Sequence, residues 1–246
     1  MSEEQSFTLD GRRVPFQDGQ TIMAAALDAG VYVPHLCFNR EFAPHGSCRV
    51  CLVKVNGRIQ AACTTPAATG QAVQSETGEL REIRRGILQM LFVEGNHVCP
   101  ACEKSGACQL QAVAYYVGML APHYTHFYPR RPVDASHPEA VIDFNRCILC
   151  ELCVRASRDV DGKNVFAVQG RGIQAHLVIN TPSGKLGATD FGIHDKAAQV
   201  CPTGAILIKH QGYNTPIGQR LYDRKPISVV GDVAQLPESR GGRRHD

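Results

Sequence analysis

Residues 144–166, FNRCILCELCVRASRDVDGKNVF, and residues 201–206, CPTGAI, decide how the chain is read. Cys147, Cys150 and Cys153 form a C-x2-C-x2-C run, and Cys201, followed by Pro202, completes it from a distance. Where a protein holds two cubane clusters, such a run is completed by a Cys-Pro lying near the other cluster. Here one half of that arrangement is missing. The three places ahead of Cys201 where a second run would stand hold Phe191, His194 and Ala197, and Ser157 stands four residues after Cys153. The spacing therefore predicts one 4Fe-4S cluster in this region, not two.

Working outward, the seven remaining cysteines fall into two groups. Cys37, Cys48, Cys51 and Cys63 give C-x10-C-x2-C-x11-C. Four thiolates on loops beside a small sheet suit a 2Fe-2S cluster, because each tetrahedral iron needs two sulfur ligands beyond the bridging sulfides. A structural zinc site is the alternative, since C-x2-C with two distant cysteines fits it as well. The other group is Cys99, Cys102 and Cys108 in NHVCPACEKSGACQLQ, residues 96–111. Three thiolates leave one cubane corner free, no spare cysteine remains, and the imidazole of His97 stands two residues ahead. Eleven cysteines and His97 then make twelve ligands for three four-ligand clusters. Histidine in place of thiolate makes a cluster less negative and raises its potential.

Composition sets the bounds. The chain has 246 residues, 43% hydrophobic and 20% charged, an ordinary globular balance. No apolar run approaches the roughly eighteen residues of a membrane span. A net charge of +3 is too mild to imply nucleic acid. The N-terminus, MSEEQSFTLDG, is acidic and polar where an export signal is basic and then apolar, so the chain is expected in the cytoplasm. Disulfides are disfavoured there, and an odd number of cysteines cannot pair completely.

The pattern of elements supports an α+β chain. Apolar runs around Asp10-Gly11 and around Asn56-Gly57 read as two tight β-hairpins. Thr21 to Ala29 reads as a short helix stopped by Gly30. Together these suggest a β-grasp sheet with one helix across it, over residues 1–78. Leu80, Ile83, Ile87, Leu88, Leu91 and Phe92 recur at helical spacing, with Gly95 ending the run. A second helix is expected from Gln109 to Leu120, so residues 79–120 form a small helical His/Cys module. Proline-rich residues 121–138 read as a crossing segment or boundary, and the third module runs to 212. Residues 213–246 read as a C-terminal tail ending in a mobile SRGGRRHD.

Substrate-handling motifs are absent. Gly170-Arg171-Gly172-Ile173-Gln174-Ala175 matches a dinucleotide fingerprint in letters, but it runs into a strand-like segment, His176 to Asn180, instead of opening a helix. No phosphate-binding loop occurs, and no cysteine is left for a catalytic metal, so the substrates belong to other subunits. Arg49, Arg146, Arg155 and Arg158 sit among the ligands; each is either an ordinary solvated arginine or a cation that raises cluster potential.

In this order, C-x10-C-x2-C-x11-C, NHVCPACEKSGACQLQ, FNRCILCELCVRASRDVDGKNVF and CPTGAI resemble the N-terminal cluster region of the large iron-sulfur subunit of respiratory complex I. They also resemble the accessory domains of iron-only hydrogenases. Those proteins continue into large further domains. At this length, and with YPRRPVDASHP at 128–138, the chain is most similar to the small diaphorase subunit of NAD-reducing soluble nickel-iron hydrogenases.

That resemblance implies a β-grasp 2Fe-2S ferredoxin-like domain holding Cys37, Cys48, Cys51 and Cys63. It implies a 4Fe-4S module with Cys99, Cys102, Cys108 and a histidine, and a ferredoxin-like α+β 4Fe-4S domain with Cys147, Cys150, Cys153 and Cys201. Relatives commonly show His-x3-Cys; here one residue separates His97 from Cys99, so His123 and His126 stand as alternatives. No residue is implied to be catalytic. FMN and NAD are implied on a flavin-binding diaphorase subunit and the NiFe centre on the hydrogenase small and large subunits, with this chain relaying electrons in an H2:NAD+ oxidoreductase. The alternatives are an iron-sulfur subunit of an NAD-dependent formate dehydrogenase or another hydrogenase, and a zinc-binding interaction protein.

Overall fold

A computed structural model describes residues 5–232. The N-terminal sheet begins with β1 (Ser6–Leu9) and β2 (Arg12–Pro15), joined by Asp10 and Gly11 at φ 49° and 79°, both in the left-handed region that a tight hairpin turn requires. Helix α1 (Ile22–Asp28) follows, its first turn capped by the Thr21 hydroxyl, which accepts from the Ala24 amide. A second hairpin, β3 (Leu52–Val55) and β4 (Arg58–Ala61), turns at Asn56 and Gly57, and β5 (Ala72–Gln74) completes the sheet.

The strand order is β2-β1-β5-β3-β4, with β1 and β5 parallel and the other pairs antiparallel. One face of this sheet and α1 share a core of Phe7, Leu9, Val14, Ile22, Met23, Val53, Val55 and Val73. Full burial of each large side chain contributes roughly 1.5–3 kcal/mol. The β-grasp expectation therefore describes the sheet.

Helix α2 (Gly78–Glu94) starts at Thr77, whose hydroxyl accepts from Leu80. Its apolar face buries Leu80, Leu88 and Phe92. It ends at Gly95, but at φ −112°, so this glycine is no left-handed cap. Helix α3 (Gln109–Tyr116) is shorter than the predicted run to Leu120. The third module holds β6 (Val133–Asp134), β7 (Ala140–Asp143), α4 (Leu152–Asp159), β8 (Phe166–Gln169), β9 (His176–Ile179), α5 (Lys196–Gln199) and β10 (Ile206–Ile208). Strands β10, β7 and β6 form one antiparallel sheet in that order, and β8 and β9 form another. The glycine-rich 170–175 segment is a tight turn leading into β9, as its sequence context indicated.

Residues 213–232, read as the start of a tail, are packed. Tyr213 donates to the Ala101 carbonyl, the Tyr222 amide to Gly106, and helix α6 (Ile227–Val230) buries Ile227 against α3. The tail lacks a long apolar period, so this packing depends on single anchors. SRGGRRHD lies outside the described residues.

Candidate metal centres

The N-terminal site is assembled from loops around the β-grasp sheet. Cys37 follows α1, Cys48 and Cys51 lie on the loop entering β3, and Cys63 leaves β4. Cys37, Cys51 and Cys63 are buried. The thiols associate in two pairs. A hydrogen bond from Cys48 holds the Cys37 thiol down at about 5 while raising its partner; one from Cys51 lowers Cys63 and raises Cys51. Two pairs of sulfurs are the donor set that two irons require.

Behind Cys51, the buried Arg84 guanidinium donates to the carbonyls of Val50 (3.1 Å), Leu52 (2.8 Å) and Ser75 (2.8 Å). Glu76 stands 3.5 Å away as its counter-charge. This fork holds the backbone on both sides of a candidate ligand in one position.

Two small pockets of similar size carry the other donors. Cys147, Cys150, Cys153 and Cys201 line the first, with Ile148, Leu177 and Ile206 supplying apolar wall. His97, Cys99, Cys102 and Cys108 line the second, with Phe92 and Leu110. His123 and His126 line neither. Among the described residues, no group of three or more histidine, cysteine or carboxylate side chains converges on a single-ion position; these donors stand around cavities instead.

The surroundings fit iron-sulfur clusters. The Nε2 of His97 is buried with no hydrogen-bond partner, which is costly unless something accepts its lone pair. Burial, and then the Arg146 charge, press its pKa down to about 4, so the ring is neutral near pH 7, the form that ligates. Burial also pushes the Cys108 thiol to about 12 and Cys147 to about 11, so ionising them needs a cationic acceptor.

Backbone amides point at these sulfurs: Leu149 at Cys147, Leu152 at Cys150, Val154 at Cys153 and Gln111 at Cys108. To aim them, Leu149 and Glu151 adopt φ of 52° and 58°, a conformation that non-glycine residues seldom adopt without a local demand. Amide-to-sulfur hydrogen bonds of this kind tune cluster potential.

The three sites are contiguous, and the one latest in sequence lies in the middle. Cys37 and Cys48 pack in the same apolar cluster as Cys150, Cys153, Cys147 and Cys201. On the other side, the Pro202 carbonyl accepts from the Cys108 thiol at 3.6 Å and from the Leu110 amide at 3.1 Å.

Where a second C-x2-C-x2-C run is missing, the space is filled with side chains. Phe191 and Ala197 are buried, with Phe191 edge-on to Phe166 at 5.7 Å. The Ser157 hydroxyl accepts from the Val165 amide, and His194 is exposed.

Of the four flagged arginines, Arg49 and Arg158 are exposed, Arg158 pairing with Asp159. Arg146 pairs with Glu103 and Asp143. Arg155 alone of the four is buried. Sequence reasoning missed Arg84 altogether; its one signal was a charge on the apolar face of α2.

The fold and these sites define an iron-sulfur protein made of successive cluster-binding modules. Family comparisons agree: residues 2–78 match a 2Fe-2S iron-sulfur cluster binding domain, residues 84–123 the iron-sulfur binding region of NADH-ubiquinone oxidoreductase-G, and residues 141–208 a 4Fe-4S single cluster domain. The chain is 39% identical over 221 residues to the gamma subunit of the NAD-reducing hydrogenase HoxS of Cupriavidus necator, covering 89% of this chain and 94% of that one. It belongs to that family of hydrogenase gamma subunits.

A crystal structure of an NAD+-reducing [NiFe]-hydrogenase in the H2-reduced state contains a chain 51% identical to it, with a TM-score of 0.90 and coverage of 94% of this chain and 98% of that one. The alpha subunit of the NADPH-Fe(3+) oxidoreductase of Geobacter sulfurreducens is 34% identical over 206 residues, which span 83% of this chain but 24% of that protein.

Proposed function

We propose that this chain is the electron-transfer subunit of a hydrogen:NAD+ oxidoreductase. It relays electrons between an FMN- and NAD(H)-binding diaphorase subunit and the small and large subunits of a [NiFe] hydrogenase. The observation that carries this reading is the series of three adjacent four-donor sites, in a chain that matches a hydrogenase gamma subunit over nearly its whole length. Cys37, Cys48, Cys51 and Cys63 would hold a 2Fe-2S cluster. His97, Cys99, Cys102 and Cys108 would hold one 4Fe-4S cluster, and Cys147, Cys150, Cys153 and Cys201 another. Bound there, the clusters supply one-electron redox chemistry.

The protein's own contribution is positional and electrostatic. Apolar walls exclude water, amides are aimed at the sulfurs, and the buried guanidinium of Arg84 holds a ligand loop. No side chain is assigned as acid, base or nucleophile. We place the complex in the cytoplasm; among the described residues, no helix is long and apolar enough to cross a membrane.

Anaerobic purification of the chain with its partners tests this. The expected result is about ten irons per chain, paramagnetic signals from 2Fe-2S and 4Fe-4S centres after reduction, and co-purifying nickel and flavin. Molybdenum in place of nickel would move the assignment to a formate dehydrogenase. Stoichiometric zinc without iron would overturn it.

A further inference from the structure

Arg155 lies on α4, 5% exposed, where the N-terminal sheet domain meets the third module. Its Nη2 donates to the carbonyl of Cys37 at 2.6 Å and reaches that of Cys150 at 3.3 Å. Nη1 donates to Ala43 at 2.8 Å, on the loop between Cys37 and Cys48. The guanidinium plane stands 4.9 Å above the Phe42 ring. One side chain thus grips a candidate ligand of the 2Fe-2S site and a candidate ligand of the central 4Fe-4S site.

Its charge is the unusual part. Arg84, Arg146 and Arg158 each have a carboxylate within ion-pair distance, whereas Arg155 has none among the described residues. Asp159, one turn on, acts on Arg155 only at longer range while pairing with Arg158, and a buried cation with no close ion pair is disfavoured. Thiolate-ligated clusters carry net negative charge, and two such sites flank this guanidinium.

We infer that Arg155 is a positioning residue whose charge is balanced jointly by the 2Fe-2S and central 4Fe-4S clusters, raising the potential of both and fixing the distance between them. This rests on the ligand sets proposed above. Each added electron increases the negative charge beside a fixed cation, so reduction is favoured at both centres. The His97 site has no contact with Arg155 and stands outside the effect.

The test is redox titration, followed by electron paramagnetic resonance, of the cluster-loaded complex carrying Arg155→Gln or Arg155→Lys. Gln keeps an amide donor and loses the charge; Lys keeps the charge. In Arg155→Gln the equilibrium constant for reduction should fall about tenfold at both centres, about 59 mV for a one-electron couple, with the His97 centre unchanged. Arg155→Lys should stay near wild type. Loss of both cluster signals from Gln alone, with Lys loaded, also supports the inference.

Unchanged potentials in Gln, equal shifts at all three centres, or the same defect in Gln and Lys would overturn it. Absence of these signals from the wild-type complex would instead sink the ligand assignment itself.

Discussion

Gly95 stands against the ring of His97: a Cβ built on Gly95 would lie 2.6 Å from Nε2 and 2.8 Å from the Asn145 carbonyl oxygen. Its φ of −112° is open to any residue, so space and not backbone freedom calls for glycine here. The absent side chain is what lets the imidazole reach the wall of the cavity that Cys99, Cys102 and Cys108 share.

Gly95→Ala is therefore expected to displace the ring and cost about 1–3 kcal/mol of stability through overpacking. Iron content should fall from about ten toward about six per chain as one 4Fe-4S cluster is lost. A fully loaded variant with an unaltered spectrum would show that the ring is not held by this contact.

His97→Cys should keep a fourth ligand and the cluster, but make it more negative, lowering the potential of that centre alone. His97→Ala should lose the cluster or exchange its fourth ligand, which changes the spectrum. Redox titration of the two variants separates these outcomes, and a potential unmoved in both would remove His97 from the ligand set.

A stability effect is expected where the packed 213–232 segment ends at Asp232. Buried His35 donates to the Val33 carbonyl at 2.7 Å and to Asp232 at 2.5 Å, while Gln109 donates to the other Asp232 oxygen at 2.9 Å. Burial alone would lower the His35 pKa, but the Asp232 charge and these hydrogen bonds outweigh it and hold it raised to about 9.

The native state then keeps a proton that the unfolded state releases above 6.5. The stabilisation is fully present below that pH and is lost as pH rises through about 9, with a slope of up to about 1.4 kcal/mol per pH unit. Asp232→Asn should flatten that slope and cost about 3–5 kcal/mol at neutral pH. Denaturant titrations between pH 6 and 10 read both, and parallel curves for variant and wild type would refute the linkage.

Phe191→Ala opens a cavity beside Phe166 and His137 where a second cluster run is missing. It should cost about 3–5 kcal/mol by chemical denaturation and leave iron content unchanged. Loss of iron at native conditions would mean that this packing also supports the central site.

The two hairpins were legible because Asp-Gly and Asn-Gly adopt the positive φ that tight turns need, and the structure places both there. Strand β5 was not: at three residues it has no alternation to detect, and its parallel pairing with β1 joins Thr8 to Ala72. Strand β6 was hidden among prolines.

The cysteine groups could be read because ligand chemistry constrains residue type and spacing together. Burial of Arg84 and Arg155 could not be read, because the carbonyls that accept from them lie up to 118 residues away. His97 was singled out only because a ligand was needed; its orphaned Nε2 is a tertiary fact.

The position of Cys201 bears on how the protein is made. The flanking sites draw their donors from residues 37–63 and 97–108, all of which leave the ribosome before Cys201 is added. The central site therefore receives its last donor only after both outer sites have complete donor sets. On the proposed ligand sets, synthesis completes the donors at both ends of the wire before those of the link between them.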